Sequence, residues 1–186
     1  MTTNIIKKKT VSFNFLSYLK SLLQLMKPRV MSLVIFTCAV GLLTSPNQIP
    51  LNDSIICIFF VTIGAGAAGV LNMWYEADLD KLMTRTCLRP IPTGRIDKDH
   101  ALIFGIILSI VSIIGLYHFS NFLSALLLFI TIAFYVFVYT MWLKRKTPQN
   151  IVIGGASGAL PPVIGWTIAT NSLSLEPITF FLIIFY

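Results

Sequence analysis

The chain has 186 residues, of which 56% are hydrophobic and 11% charged, with a formal net charge of +7 and a mean hydropathy of +0.83. A soluble domain carries roughly a quarter charged residues, and here the apolar residues come in long blocks, not at the spacing of half-buried elements. A membrane protein is the class that fits, and an ordinary water-soluble domain does not.

The first residues, MTTNIIKKKTVSFNFLSYLK, are basic and free of acids but lack the compact apolar region and cleavage site of a signal peptide. Their basic residues are all Lys, whereas mitochondrial transit peptides favour Arg. From Leu16 a helical period sets in, with Leu16, Leu19, Leu23 and Met26 on one side and Lys20, Gln24 and Lys27 on the other. That pattern predicts a helix lying in the membrane interface. Residues 1–26 then form a cytoplasmic tail with an interfacial helix, and residues 27–186 a transmembrane domain.

Span one is expected at about Val30 to Thr44 and span two at about Ser54 to Trp74. A polar, proline-containing segment from Lys81 to His100 leads to span three, Ala101 to Tyr117. Span four is Phe122 to Leu143, and span five runs from Ile151 to about Ala169 after the break at 144–148. A sixth apolar run starts near Ile178 and reaches Tyr186. A span needs about 20 residues, so the chain is expected to stop part-way through this helix, as a truncated product would. The fold class is thus all-α, a polytopic transmembrane helix bundle of about five complete spans plus the start of a sixth.

All fourteen Lys and Arg fall on one side of this layout: six before span one, five between spans two and three, and three between spans four and five. The loops at 45–53, 118–121 and 170–177 contain none. The positive-inside rule puts the N-terminus and both basic loops in the cytoplasm. The net charge is mostly topogenic and does not imply nucleic acid. Cys38, Cys57 and Cys87 share no metal-ligand spacing and read as reduced structural thiols.

Span two ends in N-M-W-Y-E-A-D-L-D at 72–80. On a helix Asn72, Glu76 and Asp80 are spaced i, i+4, i+8 and stack on one face, while Asp78 points elsewhere. Two carboxylates and an amide oxygen in a column, without a cation at helix spacing, suit a hard divalent ion, and Mg²⁺ takes one or two carboxylates plus substrate phosphates. Next come Arg85, Arg89 and Arg95, whose guanidinium forks bind phosphate oxygens in a bidentate way. Pro90, Pro92 and Gly94 can turn that loop back over the acids. Acids and arginines at one membrane mouth point to a diphosphate with a hydrocarbon tail, such as an isoprenyl diphosphate. Phe134, Tyr135, Phe137 and Tyr139 are candidates to face an allylic cation, although aromatics in a membrane helix are more often packing. The small-residue runs at 64–69 and 154–159 permit close helix approach, and Pro161-Pro162 must bend span five.

With R-T-C-L-R-P-I-P-T-G-R-I at 85–96, the acidic stretch resembles the first aspartate-rich motif of the UbiA-type intramembrane prenyltransferases. Within that superfamily the chain is most similar to the haem O synthase (protohaem IX farnesyltransferase) branch. The stretches that carry this are M-K-P-R-V at 26–30, Y-T-M-W-L-K-R-K-T-P-Q-N-I-V-I-G-G at 139–155 and G-A-L-P-P-V-I-G-W at 158–166. The resemblance implies a helical fold around a central cavity, and Mg²⁺ held through Asn72, Glu76 and Asp80 with Asp78 nearby. It implies a diphosphate held by Arg85, Arg89, Arg95, Lys144 and Arg145. Farnesyl diphosphate would ionise there, with Asn72, Glu76, Asp80, Arg85 and Arg89 catalytic, and the vinyl group of haem b would be alkylated. It further implies the bacterial inner membrane, with the mitochondrial inner membrane as the alternative, and haem A synthase or oxidase assembly factors as partners. The family carries a second aspartate-rich motif on a later helix, and nothing after Glu176 here is acidic. Two other readings stand beside this one: a prenyltransferase acting on a quinone precursor or other aromatic acceptor, and a non-catalytic membrane subunit or transporter. His100 and His118 are the only histidines, and no haem-binding residue is assigned.

Overall fold

Prolines set several helix starts: Pro28 opens the helix Pro28–Leu43, Pro161 opens Pro161–Thr170, and Pro50 precedes Leu51–Tyr75. The computed structural model describes residues 15–147 and 149–186; the basic tail before Phe15, Pro148 and the side chain of Arg145 lie outside the described residues. Among the described residues every regular element is a helix: α1 Phe15–Leu25, α2 Pro28–Leu43, α3 Leu51–Tyr75, α4 Ala77–Leu82, α5 Lys98–Phe119, α6 Phe122–Ala133, α7 Asn150–Ala159, α8 Pro161–Thr170 and α9 Leu175–Phe185. A π-helical stretch, Phe134–Trp142, and a short 3₁₀ turn, Leu143–Arg145, follow α6.

Among the described residues, four helices are long and apolar enough to cross a membrane: α3, α5, α6 continued through the π-helix to Trp142, and α7 with α8 from Asn150 to Thr170. A fifth candidate is the pair α1 and α2, bent by 54° at their junction. The chain is a multi-pass membrane protein. The bend has a local cause. The residue before a proline is disfavoured in the right-handed helical region, so Pro28 stops α1, and Lys27 takes the left-handed conformation (φ 56°). Leu16, Leu19 and Leu23 of α1 point outward while Ser21, Leu25 and Met26 are buried against the bundle. The expected outward apolar stripe is there, except that Met26 leaves it for the core.

Asp97 and Asn121 cap α5 and α6, their side chains accepting from the backbone N–H of Asp99 and Ser124, both at 2.9 Å. Span five divides at Leu160, where α7 ends before Pro161 opens α8. The break coincides with the double proline, while Asn150–Thr170 still reads as one span.

The apolar core has two parts. One joins Cys38, Val61, Leu116, Leu128 and Ile164 in the middle of the bundle. The other joins Leu25, Met26, Val70, Met73, Ile91 and Ile96 at the end where the basic segments meet. Helices α2 and α8 approach most closely: a Cβ at Gly165 would lie 2.0 Å from the Cys38 carbonyl oxygen, and one at Gly41 would lie 2.0 Å from that of Pro162. Small residues permit such backbone contact, which is how membrane helices gain packing without a hydrophobic driving force between them.

Candidate active site

The acidic column forms, with a kink in it. Helix α3 stops at Tyr75 and α4 starts at Ala77, with Glu76 between them at φ −88°, ψ 3°. The i→i+4 ladder survives the kink: the Glu76 N–H donates to the Asn72 carbonyl at 3.0 Å, and the Asp80 N–H to the Glu76 carbonyl at 2.9 Å. Asn72, Glu76 and Asp80 therefore stay on one face. They are 1%, 5% and 3% exposed, so they cannot rely on water.

Buried carboxylates without partners are costly, and here each column member meets a cation from a different segment. Lys27 Nζ donates to Asn72 Oδ1 at 2.5 Å. Lys144 pairs with Glu76. Arg89 Nη1 donates to both Asp80 oxygens, at 2.9 and 2.8 Å. Helix spacing alone suggested an unrelieved column; the relieving cations arrive through tertiary contacts. Lys27 lies at the α1–α2 junction, between the two helices of the bent candidate span.

The loop after α4 folds back as its prolines and glycine suggest. Arg95 and Ile96 N–H both donate to the Pro90 carbonyl, at 2.9 and 3.2 Å, closing a turn with Gly94 at φ 72° inside it. Ile91 and Ile96 anchor this turn in the core, 7% and 1% exposed. Thr86 Oγ1 donates to the Asp80 carbonyl at 3.1 Å, which keeps the loop beside the column.

Not every expected site residue joins. The Asp78 side chain is 72% exposed and turns to Lys98 at 3.8 Å, away from the column. Arg95 donates to Leu88 O (2.6 Å), Thr93 Oγ1 (3.0 Å) and Gln24 Oε1 (3.0 Å), so its fork ties the loop to α1. Arg85 is exposed. Arg145 is an expected diphosphate ligand whose side chain is outside the described residues.

Two functional candidates escaped the sequence reading. Lys27 was placed on the polar face of α1, and its turn into the site depends on the left-handed backbone before Pro28. Thr140, in an aromatic run, gives no signal at all; its hydroxyl accepts from Asn72 Nδ2 at 3.1 Å.

A cavity of about 100 Å³ extends from Lys27 along α3, past Gly69, Ala68 and Gly64 to Val61. Its other wall comes from Leu128 and Tyr135 on one side and Gly158 and Pro161 on the other. The glycines of both small-residue runs thus serve packing and cavity alike: Gly66 takes Met26 against it, whereas Gly158 faces open space. Tyr135 and Tyr139 lie 5.1 Å apart by ring centroid, and Lys144 Nζ sits 5.6 Å from the Tyr139 ring. Phe137 points outward, 62% exposed.

Among the described residues no group of three or more His, Cys, Asp or Glu is placed to hold a metal ion. The column offers two carboxylates and an amide oxygen, hard donors of the kind Mg²⁺ takes when a phosphate completes its shell. Lys27 joins the two: it lines the cavity and donates to Asn72 of the column, while the rest of the lining is mostly apolar, which suits an amphiphile with an anionic head.

Comparison with known proteins agrees. The UbiA prenyltransferase family profile matches residues 33–186. The protoheme IX farnesyltransferase of Pelagibacter ubique (strain HTCC1062) is 72% identical over 174 residues, covering 94% of this chain and 56% of that protein. Protoheme IX farnesyltransferase 2 of Mesorhizobium japonicum is 60% identical over 161 residues, covering 87% of this chain and 51% of that protein. The chain spans about half the length of these relatives. The structure of a UbiA homolog from Archaeoglobus fulgidus bound to GPP and Mg²⁺ superimposes with a TM-score of 0.72 at 17% identity, covering 89% of this chain and 60% of that one. By its sequence across most of its length, and with a fold to match, the chain belongs to the UbiA prenyltransferase family.

Proposed function

We propose that this chain serves the transfer of a farnesyl group from farnesyl diphosphate to the vinyl group of haem b. The observation that carries the proposal is the buried column of Asn72, Glu76 and Asp80, each member paired with a cation, one of which, Lys27, also lines an apolar cavity. The names of the relatives at 72% and 60% identity supply the substrate pair.

Asn72 Oδ1 and the carboxylates of Glu76 and Asp80 would hold Mg²⁺. When bound, the ion supplies positive charge to the leaving diphosphate. Lys27, Arg89 and Lys144 surround the same oxygens and add charge-assisted donors for phosphate. Arg85, exposed on the loop, can reach outward for a further phosphate oxygen. The farnesyl C1–O bond breaks with its electron pair leaving on the diphosphate. The vinyl terminal carbon of haem b bonds to C1, and water adds to the neighbouring carbon with release of a proton, leaving a hydroxyethylfarnesyl side chain. Tyr135, on the cavity wall, presents an aromatic surface to the tail and to developing positive charge.

The positive-inside distribution supports a cytoplasmic orientation for the acidic end of the bundle, in what we read as the bacterial inner membrane. Farnesyl transfer from its diphosphate to haem b, measured against 4-hydroxybenzoate as acceptor in membranes carrying the chain, tests the substrate pair. Haem b is expected to be converted in a Mg²⁺-dependent way, and Asn72→Ala and Asp80→Ala to abolish conversion while still inserting. Turnover of the benzoate alone would refute the acceptor, and unchanged turnover in both variants would refute the column.

A further inference from the structure

The π-helix at 134–142 changes what one hydroxyl can do. In the α-helices of this chain Thr37, Thr62 and Thr131 donate to the carbonyl four residues back, Leu33, Ile58 and Leu127. Thr140 instead donates to the carbonyl five residues back, Tyr135 O, at 2.8 Å. A hydroxyl has one proton, and here it is committed. Toward the column, Thr140 Oγ1 can only accept.

Its partner there is the amide of Asn72, 1% exposed and therefore closed to water. The amide's surroundings determine which end faces which way. Nδ2 has two acceptors beside it, Thr140 Oγ1 at 3.1 Å and Glu76 Oε1 at 3.0 Å. Oδ1 has Lys27 Nζ, a group with protons and no lone pair. Reversing the amide would set N–H against ammonium and oxygen against oxygen on both sides. The oxygen is thus turned to Lys27, which lines the cavity.

We infer that Thr140 is a positioning residue that holds Asn72 with its amide nitrogen turned away and its amide oxygen on the Lys27 side, so that the oxygen and not the nitrogen is offered to a hard cation. Of the two acceptors beside Nδ2, Glu76 is itself a candidate cation ligand and would turn its oxygens to the ion. Thr140 has no such second task. It stays on Nδ2 whether or not the ion is present. The π register is what provides this: in an α-helix the Thr140 hydroxyl would point to the carbonyl of Val136, one residue away around the turn. Single π turns inside α-helices are frequent at functional sites. The inference rests on the reading of Asn72 as a metal ligand.

The test is retention of labelled inorganic diphosphate by the full chain in nanodiscs, titrated with Mg²⁺, with thermal melting of each variant alongside. Thr140→Val keeps the shape and removes the hydroxyl, and Thr140→Ala removes it without adding a methyl where it stood. Both should raise the Mg²⁺ midpoint by roughly 10–100-fold, the size seen when a partner behind a metal ligand is lost. Thr140→Ser keeps the hydroxyl and should restore a midpoint close to that of the parent. If Thr140→Val loses its cooperative melt, Thr140→Ala carries the measurement. Asn72→Ala is the reference variant. A raised midpoint in Asn72→Ala with none in either hydroxyl deletion overturns the role of Thr140 and leaves the metal column standing. A serine variant as impaired as the valine one also overturns it, because packing would then explain both. An unchanged midpoint in Asn72→Ala refutes the column, and this inference with it.

Discussion

Replacing Arg89 by Leu isolates the energetics of the acidic column. The Asp80 side chain is 4% exposed and that of Arg89 25% exposed, and one guanidinium nitrogen serves both carboxylate oxygens. Removing the guanidinium leaves a charged carboxylate closed off from solvent with only that loss to absorb. Deleting one member of a fully buried pair costs about 3–5 kcal/mol; because a quarter of Arg89 already meets solvent, we expect about 3 kcal/mol, the lower end. The reverse change, Asp80→Asn, should cost only about 1 kcal/mol, since the asparagine oxygen keeps one hydrogen bond and the guanidinium can turn outward. The two substitutions are thus unequal by design of the site, although they break the same contact. Thermal melting in detergent, followed by circular dichroism, gives both values, and the double variant gives the coupling. Equal effects, or two effects below about 0.5 kcal/mol, would refute the claim that Asp80 is buried and depends on Arg89.

Three further outcomes follow from particular contacts. Gly165→Ala puts a Cβ 2.0 Å from the Cys38 carbonyl oxygen and must push α2 from α8, costing about 1–3 kcal/mol, whereas Gly158→Ala meets nothing within 4 Å and should melt with the parent. Gly94→Ala also meets open space, but at φ 72°; a loss of about 1 kcal/mol with no change in α-helical content would show a purely backbone effect, and a neutral result would count against the tight turn. Arg85→Ala, on an exposed side chain, should leave the melt within about 0.5 kcal/mol while weakening diphosphate retention; unaltered retention removes Arg85 from the phosphate site.

Long-range order was written in hydropathy and charge. Blocks of apolar residues bounded by Pro50, Asp97, Asn121 and Pro161 locate α3, α5, α6 and the α7–α8 break, because those residues cap or stop helices by local chemistry. The i, i+4 spacing also sufficed to stack Asn72, Glu76 and Asp80, since the kink at Glu76 preserves the ladder. Contacts between distant segments were not legible. Lys27 and Lys144 reach the column only through helix packing; the family resemblance singles out Lys144, but no local pattern distinguishes Lys27 from a topogenic lysine. Arg95 and Arg89 look alike in sequence, yet one ties the loop to Gln24 and the other meets Asp80. The π register of residues 134–142 was not legible either, because periodicity arguments assume a regular helix.

The backbone seam between α2 and α8 bears on how the molecule is assembled. Helix α2 emerges early in synthesis and spans only 16 residues, about 24 Å at 1.5 Å per residue, less than the roughly 30 Å of hydrocarbon. The groove that receives Gly165 belongs to α2, and the segment that fills it is translated several helices later. Until then the Cys38 and Leu42 side of α2 faces lipid or an insertion chaperone. Seating α8 against α2 is therefore a late, long-range step, whereas α3 and α5 can pair as soon as they are both inserted. Substitutions in this seam should show first as chains that insert and then fail to close, degraded by membrane proteases before any defect in chemistry can be measured.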